Sequence, residues 1–381
     1  MPYQSMRRYW LAAHLYLGLV FGGILVMLGL TGSLLVFYLE IDRTLNPAIA
    51  VKQASRPSLE AVLKQLQQAH PQRKSGWRIE LPLSGQHPLM ARYMKPQETR
   101  HLTFAPLMVT LDPATLEITS QRFWGQFTMT WLYDLHYTLL LEDTRLLENT
   151  GKTLLAACSI VFMISLFSGL YLWWPRHGNF KAALSFKKNA HPIRRIYDWH
   201  KLSGVFGFVF LLMLTITGLM LEKPDWFKPI LAMKSPLFEA GKMQSKAATA
   251  DTRASLDAIA KIAQAYFLNS ELRWIYTPDD ASGAVQIRLY QTCEPSRRFP
   301  KTTVWLDQYS AKIIASRDAC HDTTGDKVQG WLHPLHNGEA FGLIGRWLVF
   351  FSGILPAILM LTGFIRWRHK KKAKRFNVIT D

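Results

Sequence analysis

Cysteine is scarce, with three in 381 residues, too few for a disulfide scaffold. Acidic residues run short as well, 27 against 45 Lys and Arg, which leaves a formal charge of +18. No Gly-x-Gly-x-x-Gly follows a strand-like run, so the chain carries no dinucleotide fingerprint of its own. Charge of either sign is missing from four stretches: Trp10–Leu39, Thr153–Trp174, Leu202–Leu221 and Trp347–Ile365. Each is about the 20 apolar residues that a helix needs to cross a bilayer. The first run is too long for a signal-peptide core and lacks a small-residue cleavage site, so it reads as an uncleaved helix.

The basic residues gather beside these stretches. Arg7 and Arg8 precede the first; Lys181, Lys187, Lys188, Arg194, Arg195 and Lys201 lie between the second and third; Arg366, Arg368 and Lys370 to Lys372 follow the fourth. This is the positive-inside pattern. It places both termini in the cytoplasm and the long loops outside, and it accounts for the charge without a nucleic-acid partner.

The chain repeats itself. His14-Leu-Tyr-Leu-Gly18 runs on to Thr31-Gly32, and His200-Lys-Leu-Ser-Gly204 runs on to Thr217-Gly218, with 17 residues from histidine to threonine both times. Leu132-Tyr-Asp-Leu-His136 precedes the second helix as Leu332-His333-Pro-Leu-His336 precedes the fourth. Those helices end in Ser168-Gly169 and Thr362-Gly363 contexts. The outer loops match too. Each opens with a serine-capped helical pattern at Ser58 or Ser255. Strand-like runs follow, at Trp77–Leu81 and Leu89–Met94 or at Leu272–Tyr276 and Val285–Tyr290. Each loop closes in a hairpin, at Asp112 or Asp307.

The expected fold is therefore a membrane protein of four transmembrane helices in two homologous halves. A pseudo-two-fold axis along the membrane normal relates them, and each half carries an outer α+β module. The divisions are helix 1 (1–40), module 1 (41–122), a histidine segment with helix 2 (123–175) and a basic loop (176–199). Then come helix 3 (200–222), module 2 (223–325), a second histidine segment with helix 4 (326–367) and a basic tail (368–381).

An ionisable side chain inside a membrane span is expensive and generally functional. A single His14 reads more readily as an interfacial histidine bonded to a backbone carbonyl. A matching His200 at the same depth favours ligation, with two neutral imidazoles holding one metal from opposite sides. Gly18 and Gly204, one turn on, leave room for a flat macrocycle. Bis-histidine haem suits this pattern better than zinc, which takes four ligands in a tetrahedron. His136 and His336 form a second pair at the other face, where the competing reading is an amphipathic helix on the membrane surface. His333 has no histidine counterpart and reads as a surface residue, with a ligand or proton-donor role as alternatives. His70 also lacks a counterpart and reads as solvated. Cys293 and Cys320 share a polar region and are candidates for a disulfide.

On these residues, together with Asp198-Trp-His200 and Ser168-Gly169-Leu-Tyr-Leu-Trp-Trp-Pro175, the chain resembles the PepSY-associated transmembrane helix family. Within it the resemblance is to inner-membrane ferric-siderophore (ferrioxamine) reductases of Gram-negative bacteria. It implies an oxidoreductase with two b-type haems, His14 and His200 on the cytoplasmic side and His136 and His336 on the periplasmic side. The modules become periplasmic PepSY-like modules in the inner membrane's multi-pass protein, bathed otherwise in lipid. The implied substrate is a ferric siderophore of hydroxamate type. Trp124, Trp131, Trp305, Trp331 and His333 are candidates for its walls. The electron donor is a cytoplasmic partner or a quinol. Two other readings compete: a quinol-linked haem subunit serving another acceptor, and a non-enzymatic PepSY membrane anchor.

Overall fold

The computed structural model describes residues 2–47, 56–84, 87–102, 104–141, 149–175, 178–246 and 253–379. Helix α1 (Pro2–Val36) breaks at Phe37 and turns into the short α2 (Tyr38–Leu45). After α3 (Leu59–Ala69) come β1 (Trp77–Glu80), β2 (Leu89–Tyr93), β3 (Leu107–Leu111) and β4 (Ile118–Phe123). Next are α4 (Thr128–Thr138), the long α5 (Thr150–Trp173), the single turn α6 (Phe180–Ala183), the long α7 (Pro192–Glu222) and α8 (Pro224–Ala232). The plan then recurs in α9 (Leu256–Tyr266), β5 (Glu271–Tyr276), β6 (Val285–Tyr290), β7 (Thr302–Leu306), β8 (Ile313–Arg317), α10 (Thr324–His336) and α11 (Gly342–Ile379).

Four segments are long and apolar enough to cross a membrane: Met6–Val36, Thr150–Trp173, Pro192–Glu222 and Glu339–Ala373. They coincide with the four uncharged stretches except that the first stops at Val36, short of Leu39, and the second at Trp173, short of Trp174, and α1, α7 and α11 run further on their basic side. Long Lys and Arg side chains allow this, because their stems lie along the helix while the charge stays in water. The four helices form a ring. Helix α1 packs on α5 and α11, and α7 packs on the same two. Where Gly29 faces Gly353 the backbones of α1 and α11 approach so closely that a Cβ on either would strike the other's carbonyl oxygen. Ser33 Oγ there donates to the Phe350 carbonyl at 2.7 Å.

The part of the chain outside the four helices departs from two separate small sheets. All eight strands join in one antiparallel sheet, in the order β4-β3-β2-β1-β5-β6-β7-β8. The seam is the β1–β5 pair, with Ile79 opposite Ile275. Each half thus lends the other its innermost strand as a partner, which leaves only β4 and β8 as edges. Helices α3 and α9 lie against one face and share a single core. Val62, Leu66, Ile259 and Ala263 pack there with strand residues such as Ile79, Ile275 and Ile287. The helix starts are exchanged as well. Asp257 accepts from the Leu59 and Glu60 amides, and Glu60 accepts from the Leu256 amide. The orphan donors of each first turn are therefore satisfied partly from the other half. Ser58 and Ser255 act as the expected N-caps.

The opposite sheet face is polar and looks toward α2, α4 and α10. Arg122 of β4 ion-pairs with Asp42 of α2, and Arg317 of β8 pairs with Asp322 (2.7 Å) and with Asp326 of α10 (3.3 Å). The Asp326 pair holds α10 beneath the sheet, and Trp124 Nε1, donating to Asp134 at 2.7 Å, holds α4 there; these two helices carry the second histidine pair. Cys293 and Cys320 form a disulfide with their Cα atoms 5.7 Å apart. His70 is not solvated. It is buried against Trp77, and its Nδ1 lies 3.0 Å from the Arg73 guanidinium.

Candidate functional site

The ring places α1 and α7 on opposite sides, so that residues at equal depth on their inner faces approach one another. His14 and His200 meet there with ring centres 6.2 Å apart. Eighteen residues further along, α1 receives α4 and α7 receives α10. His136 and His336 meet at that level with ring centres 6.3 Å apart. At the rise of an α-helix, the residues from His14 to Gly32 separate the two levels by about 27 Å.

Each imidazole rests on a dipeptide of another helix, and the four seats are alike. His14 Nδ1 lies 3.1 Å from the Ser165 carbonyl and 3.0 Å from Ser168 Oγ on α5. His200 Nδ1 lies 3.0 Å from both the Leu359 carbonyl and Thr362 Oγ1 on α11. His136 Nδ1 is 2.9 Å from Thr31 Oγ1 on α1, and His336 Nδ1 is 3.0 Å from Thr217 Oγ1 on α7. Every one of these hydroxyls donates its own hydrogen to a carbonyl one turn back in its helix. The hydroxyl oxygen is then an acceptor toward the ring, as the carbonyls must be. Nδ1 therefore carries the proton in all four histidines, and Nε2 is the free lone pair.

A glycine follows each of those hydroxyl residues. A Cβ added at Gly169 or Gly32 would lie 3.0 Å from the Cε1 of His14 or His136. At Gly218 and Gly363 it would lie 3.1 and 3.3 Å from that of His336 and His200. The glycine thus admits the ring edge-on while the neighbouring hydroxyl sets its tautomer. The recurring Ser-Gly and Thr-Gly pairs are visible in the sequence, but their task is not, because each serves a histidine on a different helix.

The separations have a simple chemical meaning. A metal–imidazole bond of about 2.0 Å on each side, with roughly 1.1 Å from Nε2 to the ring centre, puts two ligating rings about 6.3 Å apart. Both pairs have that spacing, and no described residue reaches any of the four Nε2 atoms. Among the described residues no group of three or more His, Cys, Asp or Glu could hold a metal ion. The arrangement consequently offers two protein ligands per metal and leaves the positions around it to another molecule. Burial pushes His136 down to about 4, helped by the His336 ring beside it, and burial pushes His336 to about 4 as well. Both are neutral near pH 7, as a ligand must be.

The interfacial reading of His14 and the ligand reading share the carbonyl bond. They differ only in what Nε2 meets. Gly18, one turn from His14, has no atom within 4 Å of where a Cβ would stand, and at Gly204 only Leu359 comes near, at 3.6 Å. The other sequence candidates separate. Trp124 is buried, its Nε1 donating to Asp134 at 2.7 Å, and Trp305 is buried and stacked on Phe238. Neither offers a ring to an open site. Trp131 and Trp331 are exposed on α4 and α10. His333 is not a free surface residue either. It packs edge-on against Phe299 with centres 4.4 Å apart, and burial beside Arg298, His336 and Lys301 drives it to about 3.

A family model described as PepSY-associated TM region matches residues 11–370 of the chain. No curated protein matches it.

Proposed function

The chain belongs to the family of PepSY-associated TM regions, a multi-pass membrane protein, and on that premise we propose that it is a di-haem oxidoreductase. In this reading it passes electrons across the inner membrane to a ferric siderophore on the periplasmic side. The observation that carries it is the twofold occurrence of one histidine pair, at 6.2 and 6.3 Å, with each Nδ1 held by a seat on another helix. His14 and His200 would hold one haem and His136 and His336 the other. Bound there, haem supplies a one-electron Fe(III)/Fe(II) couple.

The remaining work falls to the chain's own groups. Ser168, Thr362, Thr31 and Thr217 fix the tautomer and angle of each ring, the outer-shell role that tunes ligand basicity. The ring of apolar helices keeps water away. The sheet and its buried ion pairs hold α4 and α10 over the bilayer, so that the outer level lies beside whatever binds under the sheet. Reduction then loosens the chelate, because Fe(II) is a weaker acceptor than Fe(III) for hard oxygen ligands. One electron is needed per iron, so a two-electron quinol or reduced flavin on the cytoplasmic side serves two turnovers.

The test is an optical titration of purified protein. Two bis-histidine haems should pass from the Fe(III) to the Fe(II) spectrum stepwise as reductant is added, and a ferric siderophore should return them to the Fe(III) spectrum. A folded preparation that neither contains haem nor takes it up overturns the reading; reduction by quinol with indifference to every ferric chelate favours a subunit serving another acceptor. A finer expectation concerns the seats. Thr31→Val keeps the shape but removes the acceptor beside His136 Nδ1. Haem retention at that level should fall by about 10- to 100-fold, measured as the rate of haem transfer to a scavenging apoprotein, while the His14 level is unchanged.

A further inference from the structure

The polar sheet face carries more positive charge than its surroundings balance. Arg78 stands opposite Arg92 on one side and Tyr276 on the other, and Arg288 stands opposite Trp274. Glu80 is the carboxylate among them, 2.6 Å from Arg78 and 2.8 Å from Arg92. Arg288 has no ion pair among the described residues. Its guanidinium lies over Trp274 and Tyr276 at 5.2 and 5.4 Å, and its buried Nε has no hydrogen-bond partner among the described residues. Arg298 reaches in from the loop after β6, over Tyr38 at 5.6 Å and Phe299 at 5.1 Å, with Glu339 at 3.7 Å. Four guanidinium groups thus share two carboxylates. Tyr38 is a second buried polar group of this face: it is 5% exposed, and its hydroxyl has no hydrogen-bond partner among the described residues.

Buried charge and buried hydroxyl groups without partners are costly unless something completes them. The patch is not sealed, since the side chains of Arg78, Arg92 and Arg298 keep 14, 12 and 25% exposure. It also touches the outer histidine level. Phe299 bridges Arg298 to His333, which lies one turn before His336. On the other side Arg92 lies over Trp124, which packs on Tyr133 of α4, three residues before His136.

We infer that this face is an anion site that binds the carboxylate groups of a negatively charged ferric chelate beside the His136–His336 pair. The inference deepens the proposed reductase and rests on it, with carboxylate-bearing anionic chelates in place of the hydroxamate class that the resemblance implies. Guanidinium groups pair with carboxylates through two parallel bonds and give neutral or cationic chelates no such purchase. The aromatic rings around them supply flat walls.

Gallium(III) complexes test this without electron transfer, because gallium is not reduced. Gallium citrate and an uncharged gallium trihydroxamate would be titrated calorimetrically into the haem-containing protein, the wild type and the Arg288→Gln and Arg298→Gln variants. Gallium citrate should bind the wild type, weaken with added salt, and lose about tenfold or more in either variant. The trihydroxamate should be indifferent to both substitutions, and unaltered haem spectra confirm intact variants. The propionates of the outer haem offer the same carboxylate chemistry. If the variants shift that haem's midpoint potential and leave citrate binding alone, the carboxylates are the haem's and the chelate assignment falls. If neither quantity moves, the anion site falls altogether. Citrate binding to a protein that holds no haem would instead overturn the reductase and keep the site.

Discussion

Replacing His200 with alanine is expected to halve the haem content and leave one bis-histidine haem in place. His14 would lose its partner across the ring, and the second level would be untouched, because it shares no ligand with the first. The seats support this independence. His200 rests on Leu359 and Thr362 of α11, whereas His136 and His336 rest on Thr31 and Thr217. Transfer from a cytoplasmic-side reductant to a ferric chelate should fall at least 100-fold, since a gap of about 27 Å replaces a two-station path. Direct chemical reduction of the remaining haem from the periplasmic side should persist. Optical spectra give the haem count and vesicles with trapped reductant give the rate. Loss of both haems in the single variant would show that the two levels are one folding unit.

Gly18→Leu carries the second large expected effect, and it separates a cofactor site from a packing gap. In the structure a Cβ at Gly18 meets nothing within 4 Å, so a side chain there starts out into open space. Leucine is also the better helix former by about 1 kcal/mol. Stability without haem should therefore hold or rise, while haem at the His14–His200 level is excluded by the added side chain. Haem stoichiometry and a thermal unfolding midpoint, measured on one preparation, check both halves of the expectation. Full haem content in this variant would mean that the space beside His14 faces lipid and not the macrocycle. Gly32→Val gives the contrasting case, because it strikes His136 Cε1 directly.

The sequence made much of this legible for a physical reason: charge-free runs and buried histidines have few tolerated causes. The spans, the Ser58 and Ser255 caps, the strand positions and both histidine pairings follow from short-range pattern and from internal repetition. The partner of a surface was harder to see. Nothing local to Ile79 or Ile275 announces that β1 and β5 pair across almost 200 residues, so two sheets were expected where one exists. The Thr31-Gly32 and Ser168-Gly169 motifs were visible, but their use by histidines on other helices is a matter of ring packing. Trp124, Trp305 and His333 illustrate the same limit. Their aromatic and polar character suggested a binding wall, whereas Asp134, Phe238 and Phe299 occupy those side chains from distant segments.

The crosswise pairing of the histidines has a consequence for biosynthesis. Neither half owns a complete site, since His14 and His136 each await a partner from beyond residue 199. The level nearer the sheet can close only once His336 has been made, and the other only after Thr362 and Gly363 have emerged to seat His200. A chain stopped short of its last helix would therefore insert three hydrophobic segments and hold every residue of the level nearer the sheet, but lack the seat of the other. Synthesis past Thr362 and Gly363 is then what separates a chain with one closed level from a chain with two.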